Sequence, residues 1–318
     1  MKWIRASIGT ANMLGLERIK MDVEMKTAYL LTYHKGRCKA DCKFCAQARN
    51  SKANIGFIAR GLYKPYPFIK VVNSLVKSIK EGKIKRVCLQ TINYDSLHMD
   101  TLEICDTILS KVEVPISVSR HPLSTSELNE LKDIGVDRIV IPLDAVTEEI
   151  FNNIKPTYRW EEHWNGLKRA LKIFGPWRVG THLILGLGET EKEAIETLLK
   201  LHELKINTAL FAFVPIKGTG LENLKRPKIS SYRRIQLSYY LIKMGINKFY
   251  FKDEKIIFDH DEILDKIIES GEPFLATGCP DCNRPYSTER PSSTPYNFPT
   301  LPSKEEIEKI KIEIGDYS

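Results

Sequence analysis

Three cysteines stand within eight residues in GRCKADCKFCAQ, residues 36–47: Cys38, Cys42 and Cys45. Thiolates are soft ligands, suited to zinc or to iron-sulfur clusters. A structural zinc site is closed by four protein ligands, and His34, four residues before Cys38, would complete a Cys3His set. A 4Fe-4S cluster held by three thiolates instead leaves one iron open to an exogenous ligand. A second pair, Cys279 and Cys282 in GCPDCNRPY, has the C-x2-C spacing of half a zinc knuckle, a redox pair or part of a second cluster site. Cys88 lies in the apolar run RVCLQT, and Cys105 in TLEICDTIL reads as core.

Composition narrows the setting. Of 318 residues 42% are hydrophobic and 28% charged, which suits a globular protein with a sizeable core. The first 26 residues break every apolar run with charge, so neither a secretory leader nor a spanning helix is expected, and a cytosolic (cytoplasmic) setting is. Seven cysteines, an odd number, then favour metal or catalytic use over a disulfide framework. The net charge of +8 lacks any Lys/Arg run long enough to define a nucleic-acid stripe and reads as a Lys-rich solvated surface.

These thiols need a scaffold. Short apolar runs recur at AYLLTY (28–33), RVCLQT (86–91), PISVS (115–119), RIVIPL (138–143), THLILG (181–186), ALFAFVP (209–215), KFYFK (248–252) and PFLAT (273–277), with helix-period segments between most of them. In one such segment Phe68, Val71, Val72, Leu75 and Ile79 share a face. Ser124 with Glu127 and Thr190 with Glu193 have capping-box spacing, and Gly82 and Gly135 sit where helices should stop. The alternation predicts an α/β fold, a TIM-type (β/α) barrel that is complete or nearly so. Its expected divisions are an N-terminal segment 1–27, the barrel 28–278, and a tail 279–318 with a Pro-rich stretch and a final helix. In such barrels chemistry lies at the C-terminal ends of the strands, where the cysteine triad begins five residues after AYLLTY.

The spacing C-x3-C-x2-C, with Phe44 before the third cysteine, resembles the signature of radical S-adenosylmethionine enzymes. The resemblance covers most of residues 28–290 and is closest to the biotin synthase branch: Gln47 follows Cys45 at that branch's spacing, and RVCLQT, ILGLGET (184–190) and VPIKGT (214–219) look like its second-, fifth- and sixth-strand motifs. It implies a 4Fe-4S cluster on Cys38, Cys42 and Cys45, with S-adenosylmethionine in the vacant place and cleaved by electron transfer to a 5′-deoxyadenosyl radical. It also implies cofactor contacts from Phe44, Gln90, Asp144, Ile184, Gly186, Gly188, Glu189, Pro215 and Gly218. The family's Asn position near Asp144 is Pro142 here, and His163 falls near a family arginine that binds the methionine carboxylate; Arg120, at another strand end, is the alternative cation.

Biotin synthases hold a second, 2Fe-2S cluster on three cysteines and an arginine from separate strands. Only Cys88 matches; the other cysteine positions fall in PISVS and at about Gly180. Cys279, Cys282 and inward-facing Cys88 would then hold a relocated auxiliary cluster, and Arg290-Pro291-Ser292-Ser293 distantly resembles the Arg-Ser-Ser serine ligand of ordinary lipoyl synthases, making Ser292 a candidate ligand. The whole pattern looks like a component of the archaeal two-protein lipoyl synthases. That resemblance implies sulfur insertion into an octanoyl chain on a lysine of a lipoyl carrier or glycine-cleavage H protein. It further implies a companion radical enzyme and an electron donor such as ferredoxin, with no nucleic acid or membrane partner.

Overall fold

Nine strands form one sheet in a computed structural model that describes residues 1–289 and 293–315. In chain order they are β1 (Trp3–Ser7), β2 (Thr27–Thr32), β3 (Phe57–Ile58), β4 (Gly61–Pro67), β5 (Arg86–Gln90), β6 (Ile116–Ser119), β7 (Arg138–Val140), β8 (Val179–Leu185) and β9 (Asn207–Ala212). The sheet order is β3-β4-β1-β2-β5-β6-β7-β8-β9. From β2 through β5 to β9 every pairing is parallel, with helices in the crossovers, whereas β1 is antiparallel to both β2 and β4. Strands covered on both faces read as continuous apolar runs, and all six residues of β2 are buried. The helix Phe68–Lys80 buries Phe68, Val71, Val72 and Leu75 as its periodicity predicts, and both expected capping boxes form, at Ser124 and Thr190.

The expected α/β barrel fold holds, in an open form, and three other expectations change. The sheet is an open α/β barrel with six parallel strands, since β3 and β9 end it without pairing. KFYFK forms β10 (Phe249–Lys252), which pairs only with β11 (Lys255–Phe258) in a separate hairpin. PFLAT is a 3-10 turn, Glu272–Phe274, followed by one bridge from Leu275 to Phe298. Pro273 removes a donor and fixes its own φ, which ends strand pairing there. Finally, the segment 1–27 is no appendage, because β1 lies inside the sheet between β4 and β2. The polar character of WIRAS hid that strand: Arg5 is buried because its guanidinium donates to Gln47 Oε1 (3.1 Å) and Ile55 O (2.8 Å).

The Pro-rich tail is held by the barrel's open edge. Leu210 of β9 donates its N–H to Thr277 Oγ1 (2.9 Å), and its carbonyl accepts from Asn297 Nδ2 (3.2 Å), which satisfies an edge that would otherwise invite pairing. The fully buried Arg233 donates to Tyr296 O (2.7 Å), Pro295 O (2.6 Å) and Glu313 (2.8 Å). The last helix, Lys304–Ile314, packs Ile307, Ile310 and Ile314 against Leu237, Leu241 and Phe274. These contacts fix where residues 277–289 run, across the mouth of the sheet. Among the described residues no helix is long and apolar enough to cross a membrane.

Candidate active site

The loop after β2 is shaped by its own hydrogen bonds. Arg37 donates to Ala46 O and Ala53 O, each at 2.7 Å, Cys38 N donates to Gln47 O (2.9 Å), and Cys45 N closes a turn on Cys42 O (2.9 Å). Gln47, buried, ties this loop to β3 through Phe57 O (2.9 Å). Two sulfurs are met by backbone donors: Asn93 N lies 3.1 Å from Cys38 Sγ and Gln47 N lies 3.4 Å from Cys45 Sγ. Burial pushes all three thiols up, Cys45 to about 11, while the Lys155 ammonium opposes the rise at Cys42. N–H groups aimed at sulfur and a nearby cation stabilise thiolate, the form that binds iron.

The fourth ligand of the zinc alternative is packed on an aromatic ring. His34 stacks on Tyr94 with ring centroids 4.9 Å apart, and no group of three or more His, Cys, Asp or Glu among the described residues is arranged around a single ion.

Cys38, Cys42 and Cys45 share a cavity of about 730 Å3 with Phe44, Gln90, Asp144 and Ile184, and also with Cys88, Cys279 and Cys282. Asp144, just past β7, has φ 64° and bridges to β8 through His182 O (2.8 Å) and Ile184 N (3.3 Å). Its carboxylate accepts from Lys155 Nζ at 2.9 Å, and the same ammonium reaches Pro142 O (2.6 Å) and His163 Nε2 (3.4 Å). His163 sets its Nδ1 against Arg159 O (3.0 Å), so Nε2 is left to accept from Lys155. Burial, then the Lys155 charge, lowers His163 to about 3, so this imidazole is neutral and is not the carboxylate-binding cation. Arg120 keeps that possibility: it lines the cavity, donates to His98 (3.1 Å) and Glu127 (3.2 Å), and its buried Nε has no partner.

Other expected cofactor residues stand behind the wall. Glu189 spends its carboxylate on the N–H groups of Gly186 (2.5 Å) and Leu187 (2.9 Å), shaping the turn after β8. Gly186 packs on Pro227, where an added Cβ would fall 2.6 Å from the ring, whereas Gly188 faces open space. Gly218 accepts from Lys52 N (2.7 Å) and so braces the triad loop; Pro215, like Gly218, is not on the cavity wall.

The second thiol group is assembled from both ends of the chain. Cys88 on β5 is in register with Ser117 on β6, and Ser117 Oγ lies 3.4 Å from Cys279 Sγ. The tail turn closes through Cys282 N to Cys279 O (3.2 Å) and is pinned by Arg86 on Pro280 O (3.0 Å) and Thr27 on Asp281 O (2.8 Å). Tyr29 Oη is 3.4 Å and Arg284 Nη1 3.7 Å from Cys282 Sγ, with the Arg284 guanidinium 4.2 Å over Phe211. Burial first, then the neighbouring Cys282 and Cys279, push the Cys88 thiol well up. Ser292 lies outside the described residues, and Cys105 is buried in the main core, away from the cavity. Sequence reasoning missed Lys155, Tyr29 and Arg284, of which only Arg284 carried a signal, in CNRPY.

An open α/β barrel with a three-cysteine loop at the C-terminal end of its first parallel strand defines the radical S-adenosylmethionine class. The chain belongs to the radical SAM superfamily, whose family model matches residues 32–201. It is similar to the biotin synthase of Aquifex aeolicus (27% identity over 205 residues, 63% of this chain and 59% of that protein). The biotin synthase of Clostridium tetani is 32% identical over 197 residues, 60% of this chain and 57% of that protein. The chain thus spans less than two thirds of the length of these relatives. Methylornithine synthase shares the fold, with a TM-score of 0.51 at 16% identity over 70% of this chain and 71% of that one. The chain is thus a radical SAM protein that is similar to biotin synthases.

Proposed function

We propose that this enzyme inserts sulfur into an unactivated carbon of an octanoyl chain carried on a protein lysine, as a lipoyl synthase component. The carrying observation is that Cys88, Cys279 and Cys282 gather in the same cavity as Cys38, Cys42 and Cys45. Two thiol groups facing one space fit one cluster that initiates radical chemistry and another that donates sulfur. When bound, a 4Fe-4S cluster with S-adenosylmethionine supplies hydrogen abstraction from carbon, and a second iron-sulfur cluster supplies the sulfur.

The chain's own residues then have separable tasks. Cys38, Cys42 and Cys45 would hold the first cluster, with three thiolates for four irons. Asp144, fixed by Lys155, offers carboxylate oxygens to ribose hydroxyls, and the free Arg120 N–H offers a donor to a carboxylate. Tyr29 and Arg284 supply donors beside Cys282. The electron enters from a donor such as ferredoxin, and the companion radical enzyme shares the octanoyl carrier.

Biotin synthesis is the second reading, favoured by the similarity to biotin synthases. Against it, the barrel positions expected to carry two further cluster cysteines hold Ser117 and Gly180. Anaerobic mass spectrometry decides: with both component enzymes present, a peptide bearing octanoyl-lysine gains sulfur while dethiobiotin stays unchanged. Sulfur in dethiobiotin and none in the peptide overturns the proposal.

A further inference from the structure

The cavity opens at a charged rim that gives onto an apolar wall. Of the described residues on its wall, only Ile19, Lys20, Asp22 and Arg60 are exposed, so the mouth lies between segment 19–22 and the turn joining β3 to β4. Inward from them stand Ile8, Met21, Met25, Ile58 and Leu62. Met21, Met25 and Ile58 belong to the apolar cluster that also contains Tyr29, Tyr63, Cys88 and Cys282. A passage walled largely by hydrocarbon and thioether therefore leads from solvent to the cluster that holds Cys88 and Cys282, with Cys38 of the triad at its side, while the buried charges of Arg120, Asp144 and Lys155 follow β6 and β7.

Gly9 keeps this passage open. A Cβ built there would fall 2.5 Å from Met25 Sδ and 3.4 Å from Met21 Sδ, so both thioethers lie against the glycine instead of projecting into the space. Methionine is unbranched and polarizable, and it moulds to a chain with no fixed shape. None of the five inward side chains offers a hydrogen bond. A ureido ring drawn along that wall would lose its water without a partner, whereas a saturated chain gains from every methylene it buries.

We propose that this passage is an acyl subsite. An unbranched saturated chain tethered outside enters beside Ile19, between Lys20 and Arg60, and lies along Met21, Met25, Ile58 and Leu62 with its distal carbons beside Cys88 and Cys282. The inference rests on the octanoyl reading given above for the identity of the chain, but the passage is tested by binding and the reading by product. Lys20 and Arg60 outnumber Asp22 at the mouth and give an acidic carrier a net positive rim.

The test uses the full, anaerobically reconstituted chain and peptides whose lysine bears a butanoyl, hexanoyl or octanoyl group. Binding should tighten about fourfold per added methylene, hence about 16-fold from hexanoyl to octanoyl. Met21→Trp should erase that increment, and Met21→Leu, which conserves volume, should keep it. Ile58→Trp repeats the block from the opposite wall should Met21→Trp melt early by circular dichroism. Chain-length dependence that is flat, or that survives both tryptophans, overturns the passage. Sulfur gained by the octanoyl peptide despite flat binding would leave the functional reading standing and remove this one. A steep, tryptophan-sensitive increment, with sulfur entering dethiobiotin alone, would do the reverse.

Discussion

The Lys155 ammonium lies 2.9 Å from the Asp144 carboxylate, with both side chains almost wholly enclosed. The pair joins the chain after β7 to the end of a short helix, Glu148–Ile154, and both residues line the cavity with Cys42. Removing one member strands the other's charge in a poor solvent, which typically costs about 3–5 kcal/mol. Lys155→Met should therefore lower the urea midpoint more than Asp144→Asn with Lys155→Met combined. Asp144→Asn alone should raise the half-saturating concentration of S-adenosylmethionine in the deoxyadenosine assay. Equal stability of the single and double variants would show the pair to be uncoupled.

Paired alanine substitution of Cys279 and Cys282 should lower iron from about eight atoms per chain to about four, the content of one 4Fe-4S cluster. Deoxyadenosine would still form, without thiolated product, because the first three thiols come from a separately braced loop. Replacing Cys38, Cys42 and Cys45 should instead abolish deoxyadenosine. Full iron content together with sulfur insertion in the Cys279/Cys282 variant would leave that turn a structural clamp.

Gly218 has φ 88°, and a Cβ on it would fall 2.5 Å from Ala53 N. Gly218→Ala therefore meets backbone in a left-handed conformation and must displace the triad loop, at a cost above about 1 kcal/mol. Iron retained after gel filtration should fall towards that of the triad variant, with little change in helical circular dichroism. Undiminished iron would mean the loop does not depend on this brace.

His163 gives stability a pH dependence of known sign. Its folded pKa is depressed to about 3 from 6.5, so the unfolded chain takes a proton first. The contribution is complete above pH 6.5 and is lost as pH falls through 6.5 towards 3. Urea midpoints at pH 7.0, 5.5 and 4.5 should fall in that order, and the decline should be shallower in His163→Gln. An identical slope in the variant would assign the acid sensitivity elsewhere.

The triad was legible because its signal is covalent spacing within one loop, and the capping boxes because they are local. Cys279 and Cys282 were legible as a pair, but not the route by which Ser117 and Tyr29 receive them, which depends on contacts over more than 160 residues in sequence separation. Lys155 gave no sign at all: one lysine in NIKPTY reads as solvated surface, and only Asp144, Pro142 and His163, brought together by the fold, make its burial tolerable. PFLAT and KFYFK misled because short apolar runs do not distinguish a sheet strand from a turn or a satellite hairpin. WIRAS was overlooked for the opposite reason, a charged residue inside a central strand.

The second thiol group is divided between β5 and the tail, so its members are made far apart in the order of synthesis. Translation delivers Cys45 234 residues before Cys279 (279 − 45). The nascent chain presents the triad while Cys88 still waits for its partners. The second set of thiols is complete only after the tail has crossed the edge of β9, held there by Thr277 and Asn297 on Leu210.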